Sequence, residues 1–333
     1  MIVSVQYQLK KFRPMKNQCL YCYKTIDSAD LDTSAGQVGY HPRCSKKFYG
    51  KPTPPLLDFT EDQILQLAEQ VIKSKKTVTG VQPKLSLGLS KENNAPERFT
   101  IVGLWREYIL KPQSELYPNL PEIEDLTMHL AELSKIKTVQ HALIKLKSGQ
   151  LAYITKRIDR NNGKKLHMED MCQLTERLTE HKYKGSYEQV STVIKKYTAN
   201  PGLDVTDFYE LVLFCFLTGN NDMHLKNFSL LKSSQKYDLC PAYDLVASEL
   251  VVEGDDEDLA LNLNGKKKKI KRKDFETAMA TAGIDQKVIE NIFKKYKNLI
   301  PKWDQFIIES FLPEKMKDEY ISLIKRKSIQ IEL

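Results

Sequence analysis

Near residue 170 the chain changes its hydrophobic period, and that change limits the folds open to it. Before it, "LSLGL" (85–89) alternates as a strand does, and "RFTIVG", "EYILK", "QHALIKL" and "LAYITKRID" read as further strands. One helix, "IEDLTMHLAELSKI", is set among them. Another is expected over "TEDQILQLAEQVIKSKK" (60–76), with Thr60 as N-cap and Gln63 closing a capping box. Its apolar residues Ile64, Leu65, Ala68, Val71 and Ile72 repeat at helical spacing. Beyond residue 170, "YEQVSTVIKKY", "VTDFYELVLFCFLTG", "DFETAMATAG", "DQKVIENIFKKY" and "EKMKDEYISLIKR" all carry the helical period. A strand-rich half followed by a helix-rich half reads as an α+β fold in two lobes. At 333 residues the chain can bury a large core and divide in this way.

The first fifty residues stand apart because of their cysteines. "CLYC" gives Cys19-x-x-Cys22 and "HPRC" gives His41-x-x-Cys44, with eighteen residues between the pairs. Two such knuckles can set four soft N and S ligands tetrahedrally around Zn²⁺, as a closed structural site. The segment has little apolar core of its own, so a metal would supply its folding energy. A reduced Cys-x-x-Cys pair beside an unrelated His and Cys is the plainer alternative. Cys172, Cys215 and Cys240 lie in apolar stretches and read as buried thiols. "GKPTPPL" (50–56) is a stiff linker. The expected division is therefore 1–52 for a zinc-knuckle-like unit, 57–170 for a strand-rich N-lobe and 171–333 for a helical C-lobe.

The chemistry concentrates in "TGNNDMHLKNFSLL" (218–231), directly behind the apolar run "FYELVLFCFL". Asp222 and Asn227 have the D-x-x-x-x-N spacing of a kinase catalytic loop. One carboxylate there accepts a hydroxyl proton, and an amide oxygen of the same loop holds a phosphate-bridging metal ion. Lys226 between them could neutralise charge on the transferred group. Asp244, in "AYDL", comes seventeen residues after Asn227, and "FSLL" with "YDLC" forms the hairpin that would return it to the loop. Lys111 ends the strand "EYIL", where a lysine can reach phosphates, and Glu124 lies thirteen residues on, as a lysine–glutamate couple requires. "TVTGVQPK" (77–84) can cover phosphates with its amides, although one glycine makes it a poor phosphate loop by composition. "HMEDMCQ" (167–173) joins the halves, either as an adenine-facing segment or as a plain linker.

Composition excludes some classes. No run approaches the roughly 18–20 apolar residues of a membrane span. The start, "MIVSVQYQLKKFRP", lacks the pattern of a secretory signal, so a cytoplasmic location is the default. The net charge of +8 argues mildly for an acidic ligand or partner. Its one concentration, "KKKKIKRK" (266–273), reads as a solvated turn or as a nucleic-acid or localisation patch.

Taken together, "TGVQPKLSL", "YILKP", "ITKRIDR", "MEDMCQL", "GNNDMHLKNFSL" and "PAYDL" resemble, in order, the blocks of the HipA family of toxin kinases. The resemblance covers roughly residues 60–330 and is strongest to short HipT-like members. It implies a two-lobed protein-kinase-like fold and a serine/threonine protein kinase using ATP and Mg²⁺. Asp222 would be the catalytic aspartate, and Asn227 and Asp244 the metal ligands. Lys111 would contact ATP phosphates, while Glu169, Asp170 and Met171 would form the adenine hinge. Val81, Gln82 and Lys84 would cover the phosphates, and His224 and Lys226 would complete the catalytic loop. Substrates in the family are aminoacyl-tRNA synthetases. Partners are a DNA-binding antitoxin and, in split systems, a small HipS-like protein standing for a missing N-terminal subdomain. Before the phosphate loop this chain has only the zinc-knuckle-like unit and a helix, so antitoxin contacts through that subdomain are not assumed. Thr77 and Thr79 stand where the family carries an autophosphorylated serine. Two other classes remain open: a zinc-containing nucleic-acid-binding regulator with an inert scaffold, and a kinase of a small molecule.

Overall fold

The computed structural model describes residues 17–64, 66–67, 84–90, 97–101, 106–161, 164–233, 235–252, 254 and 256–333. Thr77, Thr79, Val81 and Gln82 lie outside them, as does most of the helix expected over 60–76. At the start of that helix the capping box is present: the Thr60 amide donates to Gln63 Oε1 (2.9 Å) and the Gln63 amide to Thr60 Oγ1 (3.4 Å). Among the described residues no helix is long and apolar enough to cross a membrane.

The chain separates into two compact units, Met1–Pro55 and Leu56–Leu333. The small unit holds three short helices, α1 (Ser28–Leu31), α2 (Ser34–Gln37) and α3 (Pro42–Tyr49). Asp27 and Thr33 cap the first two through side-chain oxygens. Pro42 starts α3 at a position where its missing N–H is harmless. Among the described residues of this unit, the buried aromatic side chains are Tyr23, Tyr40, Phe48 and Tyr49.

In the large unit, β1 (Leu85–Ser90), β2 (Arg98–Ile101), β3 (Tyr108–Lys111), β4 (His141–Lys145) and β5 (Leu151–Lys156) form an antiparallel sheet in the order β2-β1-β3-β5-β4. Register pairs Leu110 with Ile154 and Lys111 with Tyr153, which sets the lysine at the strand end over the Tyr153 ring (5.3 Å). A two-residue pair, β6 (Arg160–Asn161) and β7 (Lys164–Lys165), comes next. A second sheet then orders β10-β9-β8, with β8 at Met168–Asp170, β9 at Ser229–Ser233 and β10 at Lys236–Leu239.

Helix α4 (Leu120–Leu133) crosses from one half to the other. Every residue from Leu120 to Ala131 is buried, five ionisable or polar ones included. A buried polar group must be hydrogen-bonded or it is costly, and each of these has a partner. Glu122 accepts from Gln113 (2.7 Å), Glu124 from Lys111 (2.5 Å) and Asp125 Oδ1 lies 2.7 Å from His141 Nδ1. Thr127 Oγ1 meets Tyr320 OH (3.0 Å), and His129 meets Glu132 (3.1 Å). One side of α4 packs on β4 and β5, the other on helices of the C-terminal half.

Those helices are α5 (Met171–Leu174), α6 (Tyr187–Tyr197), α7 (Pro201–Leu217), α8 (Arg272–Thr281), α9 (Gln286–Ile308) and α10 (Glu314–Gln330). The run Leu211–Leu217 makes the last two turns of α7 buried on all sides. Phe214 meets Trp303 edge-on (5.5 Å), and Trp303 meets Tyr296 (5.7 Å), across Pro301 inside α9. Burying a side chain such as Phe214 contributes about 1.5–3 kcal/mol, which lets α9 continue through a proline that removes one of its hydrogen bonds. Cys172, Cys215 and Cys240 are buried free thiols, as expected. The lysine run is a turn that leads into the first residues of α8, and several of its charges are matched. Lys266 pairs with Asp274 (2.8 Å), Lys267 with Glu257 (3.2 Å) and Lys268 with Asp256.

Candidate active site

The buried helix α7 ends at Gly219, whose φ of +67° turns the chain sharply. A side chain there would strain the backbone and meet Leu323 at 2.9 Å. The loop beyond this glycine is polar and buried apart from the exposed Asp222 and the half-buried Lys226. Asn221 receives Ser248 Oγ–H on its Oδ1 (2.5 Å) and donates to the Glu257 carbonyl (3.3 Å), while Ser248 Oγ accepts the Asn221 amide (3.1 Å). Asn220 Oδ1 accepts the Asp222 amide (3.3 Å). Then the Asp222 carbonyl takes both the His224 amide (2.8 Å) and Asn227 Nδ2 (3.1 Å). The D-x-x-x-x-N spacing thus closes a loop on itself: one amide side chain fixes the backbone of the aspartate five residues before it.

The Asp222 carboxylate accepts a hydrogen bond from Tyr183 OH (2.5 Å), and the Tyr183 ring meets His224 edge-on at 5.1 Å. Burial pulls the His224 imidazole below its usual pKa, against the opposing pull of Asp222. It is therefore neutral near pH 7 and contributes shape rather than charge. Lys226 does not stand clear of the protein: its Nζ is 2.8 Å from Asp170 Oδ2. The other Asp170 oxygen caps α5 in a capping box with Gln173. The Met171 amide donates to the Phe228 carbonyl (2.9 Å) and β8 pairs with β9, so the 168–171 segment is fastened to the loop's own exit strand.

Asp244 returns on the chain after the β9–β10 hairpin, in the left-handed region at φ +60°. Its carboxylate meets Lys111 and also Lys84, whose Nζ is 3.1 Å from Oδ2. Lys111 is 4% exposed and shared with Glu124, which is fully buried. Burial would raise Asp244, but Lys111 and Lys84 hold it far below the usual carboxylate range. Burial pushes Glu124 up to about 7, against the pull of Lys111. For Lys111 burial favours the neutral form, and the Asp244 and Glu124 carboxylates more than offset it. Residues distant in sequence, Lys84, Lys111, Glu124 and Asp244, are thus joined in one charged cluster. Glu169, Asp170 and Met171 lie with Lys226 at the other end of the loop.

In the small unit, Cys19, Cys22, His41 and Cys44 have their donor atoms within 4.8 Å of one another. His41 Nδ1 is 3.6 Å from Cys22 Sγ and 3.7 Å from Cys44 Sγ. The edge of a tetrahedron with zinc–sulfur and zinc–nitrogen bonds of ordinary length is about 3.6 Å. His41 Nε2 lies 3.1 Å from the Thr25 carbonyl, the outer hydrogen bond that fixes a ligating imidazole. Hydrogen bonds from the Cys19 and Cys44 thiols hold Cys22 down to about 3, despite burial.

Several residues of this architecture carry no sequence signal. Tyr183 sits in the polar stretch "EHKYKG", 39 positions before its carboxylate. Ser248 and Tyr153 likewise act through contacts that no local spacing announces.

The fold and the loop geometry can be set beside known proteins. The structure superposes on a chain of the solved Shewanella oneidensis toxin–antitoxin complex of HipA, HipB and operator DNA. The TM-score is 0.64 at 20% identity, over 80% of this chain and 71% of that one. That likeness establishes the two-lobed kinase-like fold. A Sinorhizobium fredii protein named "Putative kinase" is 30% identical over 228 residues, 64% of this chain and 55% of the relative. The serine/threonine-protein kinase toxin HipA of Shewanella oneidensis is 26% identical over 258 residues, 68% of this chain and 57% of the relative. The chain therefore spans somewhat more than half the length of these curated relatives. The family model of the HipA-like C-terminal domain matches residues 77–303, most of the sequence, and the chain belongs to the HipA family.

Proposed function

We propose that this protein is an ATP- and Mg²⁺-dependent serine/threonine protein kinase that acts as the toxin of a toxin–antitoxin pair. The observation that carries the reading is the joining of Lys111, Glu124 and Asp244 beside a loop closed by Asn227 on Asp222. Asp244 is kept ionised by two lysines, the state a Mg²⁺ ligand needs. The Asn227 side chain has its Nδ2 committed to the Asp222 carbonyl, so Oδ1 is the atom available to a metal. These donors fit Mg²⁺, which when bound would neutralise phosphate charge. Lys111 binds phosphates, Lys84 with Val81 and Gln82 covers them, and Glu169, Asp170 and Met171 offer the adenine edge. Asp222 takes the proton of the acceptor hydroxyl through the carboxylate oxygen that Tyr183 leaves open. His224 packs under Tyr183, and Lys226 ties the loop to Asp170. Thr77 and Thr79 are candidate autophosphorylation sites, and phosphate on the 77–79 peptide after incubation with ATP is the expected mass-spectrometric result.

The family likeness supports a DNA-binding antitoxin, or a small HipS-like protein, as partner, and an aminoacyl-tRNA synthetase as substrate. Zn²⁺ at Cys19, Cys22, His41 and Cys44 would clip the small unit together. The nucleic-acid-binding alternative is weakened by the lysine run, four of whose basic residues, Lys266, Lys267, Lys268 and Arg272, are paired with acids. The test is incubation of the purified chain with labelled ATP and a cell lysate, with Asp222→Asn in parallel. Loss of a general base costs about 10²–10⁴-fold, so the variant should label nothing while still binding nucleotide. Full labelling by Asp222→Asn would refute the assignment.

A further inference from the structure

We propose that His129, His141 and Glu132 form a second metal site, for a first-row transition dication, and that Asp125 orients both imidazoles. Helix α4 sets Asp125 and His129 one turn apart on one face, with Glu132 three residues further on. Strand β4 brings His141, its first residue, against that face. The ring centroids of the two histidines are 4.5 Å apart.

Each imidazole has one nitrogen toward Asp125 and the other toward Glu132. His141 Nδ1 is 2.7 Å from Asp125 Oδ1, and His129 Nε2 faces Asp125 Oδ2 at 3.5 Å. On the opposite side, His129 Nδ1 lies 3.1 Å from Glu132 Oε2 and His141 Nε2 lies 3.7 Å from Glu132 Oε1. The hydrogen bonds in this group run through the two Nδ1 atoms, which neutral Nδ1–H imidazoles satisfy, and the buried His141 Nε2 is then a bare lone pair. A dication seated there would take that lone pair and replace the proton between His129 Nδ1 and Glu132. Donors about 2.0–2.1 Å from a tetrahedral ion are about 3.4 Å apart, and the two distances, each to a different Glu132 oxygen, lie on either side of that value.

Two further observations point the same way. His141 Nε2 belongs to a residue that is 1% exposed, and it has no hydrogen-bond partner among the described residues. Its other nitrogen is held by a fully buried carboxylate, the carboxylate–histidine arrangement by which proteins aim an imidazole at a metal. The Glu132 side chain is 45% exposed, which gives an ion a route in and leaves a fourth position to water. Imidazole with carboxylate suits zinc and its neighbours rather than Mg²⁺. Asp125 directly succeeds Glu124 on α4, so the ion would fix the helix that presents Glu124 to Lys111.

The test uses the full chain, stripped of metal and titrated with Zn²⁺ and with Co²⁺, the bound metal being counted after dialysis. The cysteine set and the new site report separately, because only thiolate ligands give an intense sulfur-to-cobalt charge-transfer band. Wild type should take up cobalt with visible d–d absorption beyond what accompanies that band. Glu132→Gln and His141→Gln should lose this component, and Asp125→Asn should weaken it by about 10–100-fold. Glu132 is half-exposed, so its variant keeps the fold, which a thermal melt verifies. Asp244→Asn should leave the component unchanged, separating it from the nucleotide site. The proposal is overturned if all bound cobalt carries the thiolate band, or if Glu132→Gln and His141→Gln bind as much metal as wild type.

Discussion

Replacing Lys111 by Met removes the cation shared by two carboxylates, and the structure sets both the size and the pH dependence of the effect. Glu124 is fully buried and Asp244 retains only Lys84. Breaking a buried pair by deleting one partner destabilises by about 3–5 kcal/mol. The pH dependence is sharper evidence than the size. Glu124 has a folded pKa of about 7 against an ordinary 4.5, so in wild type its contribution is favourable at low pH and is lost as pH rises through that interval. Without Lys111 the carboxyl holds its proton to still higher pH. The deficit of the variant should then grow by about 1.4 kcal/mol per pH unit above about pH 7, or about 2 kcal/mol by pH 8.5. Neither Lys111 nor Asp244 titrates in this window, since one is raised above its usual range and the other depressed below it. Urea unfolding at about pH 6 and about pH 8.5 measures the difference directly. Lys111→Met combined with Glu124→Gln should remove the dependence on pH and recover part of the stability. A deficit that is flat or shrinks as pH rises would refute the reasoning.

Three further outcomes are expected. Asp244→Asn leaves Lys84 and Lys111 without their common carboxylate and should weaken Mg²⁺–ATP binding by calorimetry; unaltered affinity would remove Asp244 from the metal site. Tyr183→Phe keeps the ring on His224 but deletes a hydrogen bond to a charged group, a loss of about 1.5–3 kcal/mol. It should lower kcat about tenfold or more with KM for ATP unchanged, and an unaltered kcat would leave Tyr183 a packing residue. Cys22→Ser should abolish Zn²⁺ uptake at the proposed site of the small unit, read by native mass spectrometry, and undiminished uptake there would dissolve the proposed ligand set.

Local pattern carried most of the secondary structure. The strand at "LSLGL" lies where alternation places it, and those at "EYILK" and "LAYITK" lie where short apolar runs rich in β-formers place them, buried on both faces of the sheet. The same logic is weaker for α4. Its buried face runs all the way round, and Glu122, Glu124, Asp125 and His129 disguise it as an amphipathic surface helix. Only the sites of their partners, on β3, β4 and the chain after β3, reveal why such residues can be inside. Spacing could suggest that Asp222 and Asn227 act together, because the loop is local. It could not supply Tyr183, Ser248 or the engagement of Lys226 with Asp170, which depend on where separate elements pack. The His129–His141 pair was invisible for the same reason: its two halves come from a helix and a strand that meet only in the folded chain.

The clamping of α4 has a consequence for control. It is held by β4 and β5 and also by the C-terminal helices, through Phe306 on α9 (5.5 Å from His129) and Tyr320 on α10. To swing away and break the Lys111–Glu124 couple, the helix would have to vacate twelve buried positions at once. A rod gripped along its whole length is a poor lever. An on–off device acting on this couple would therefore work from the lysine side, through the chain segments that carry Lys84 and Lys111, while Glu124 stays as the fixed post against which they engage.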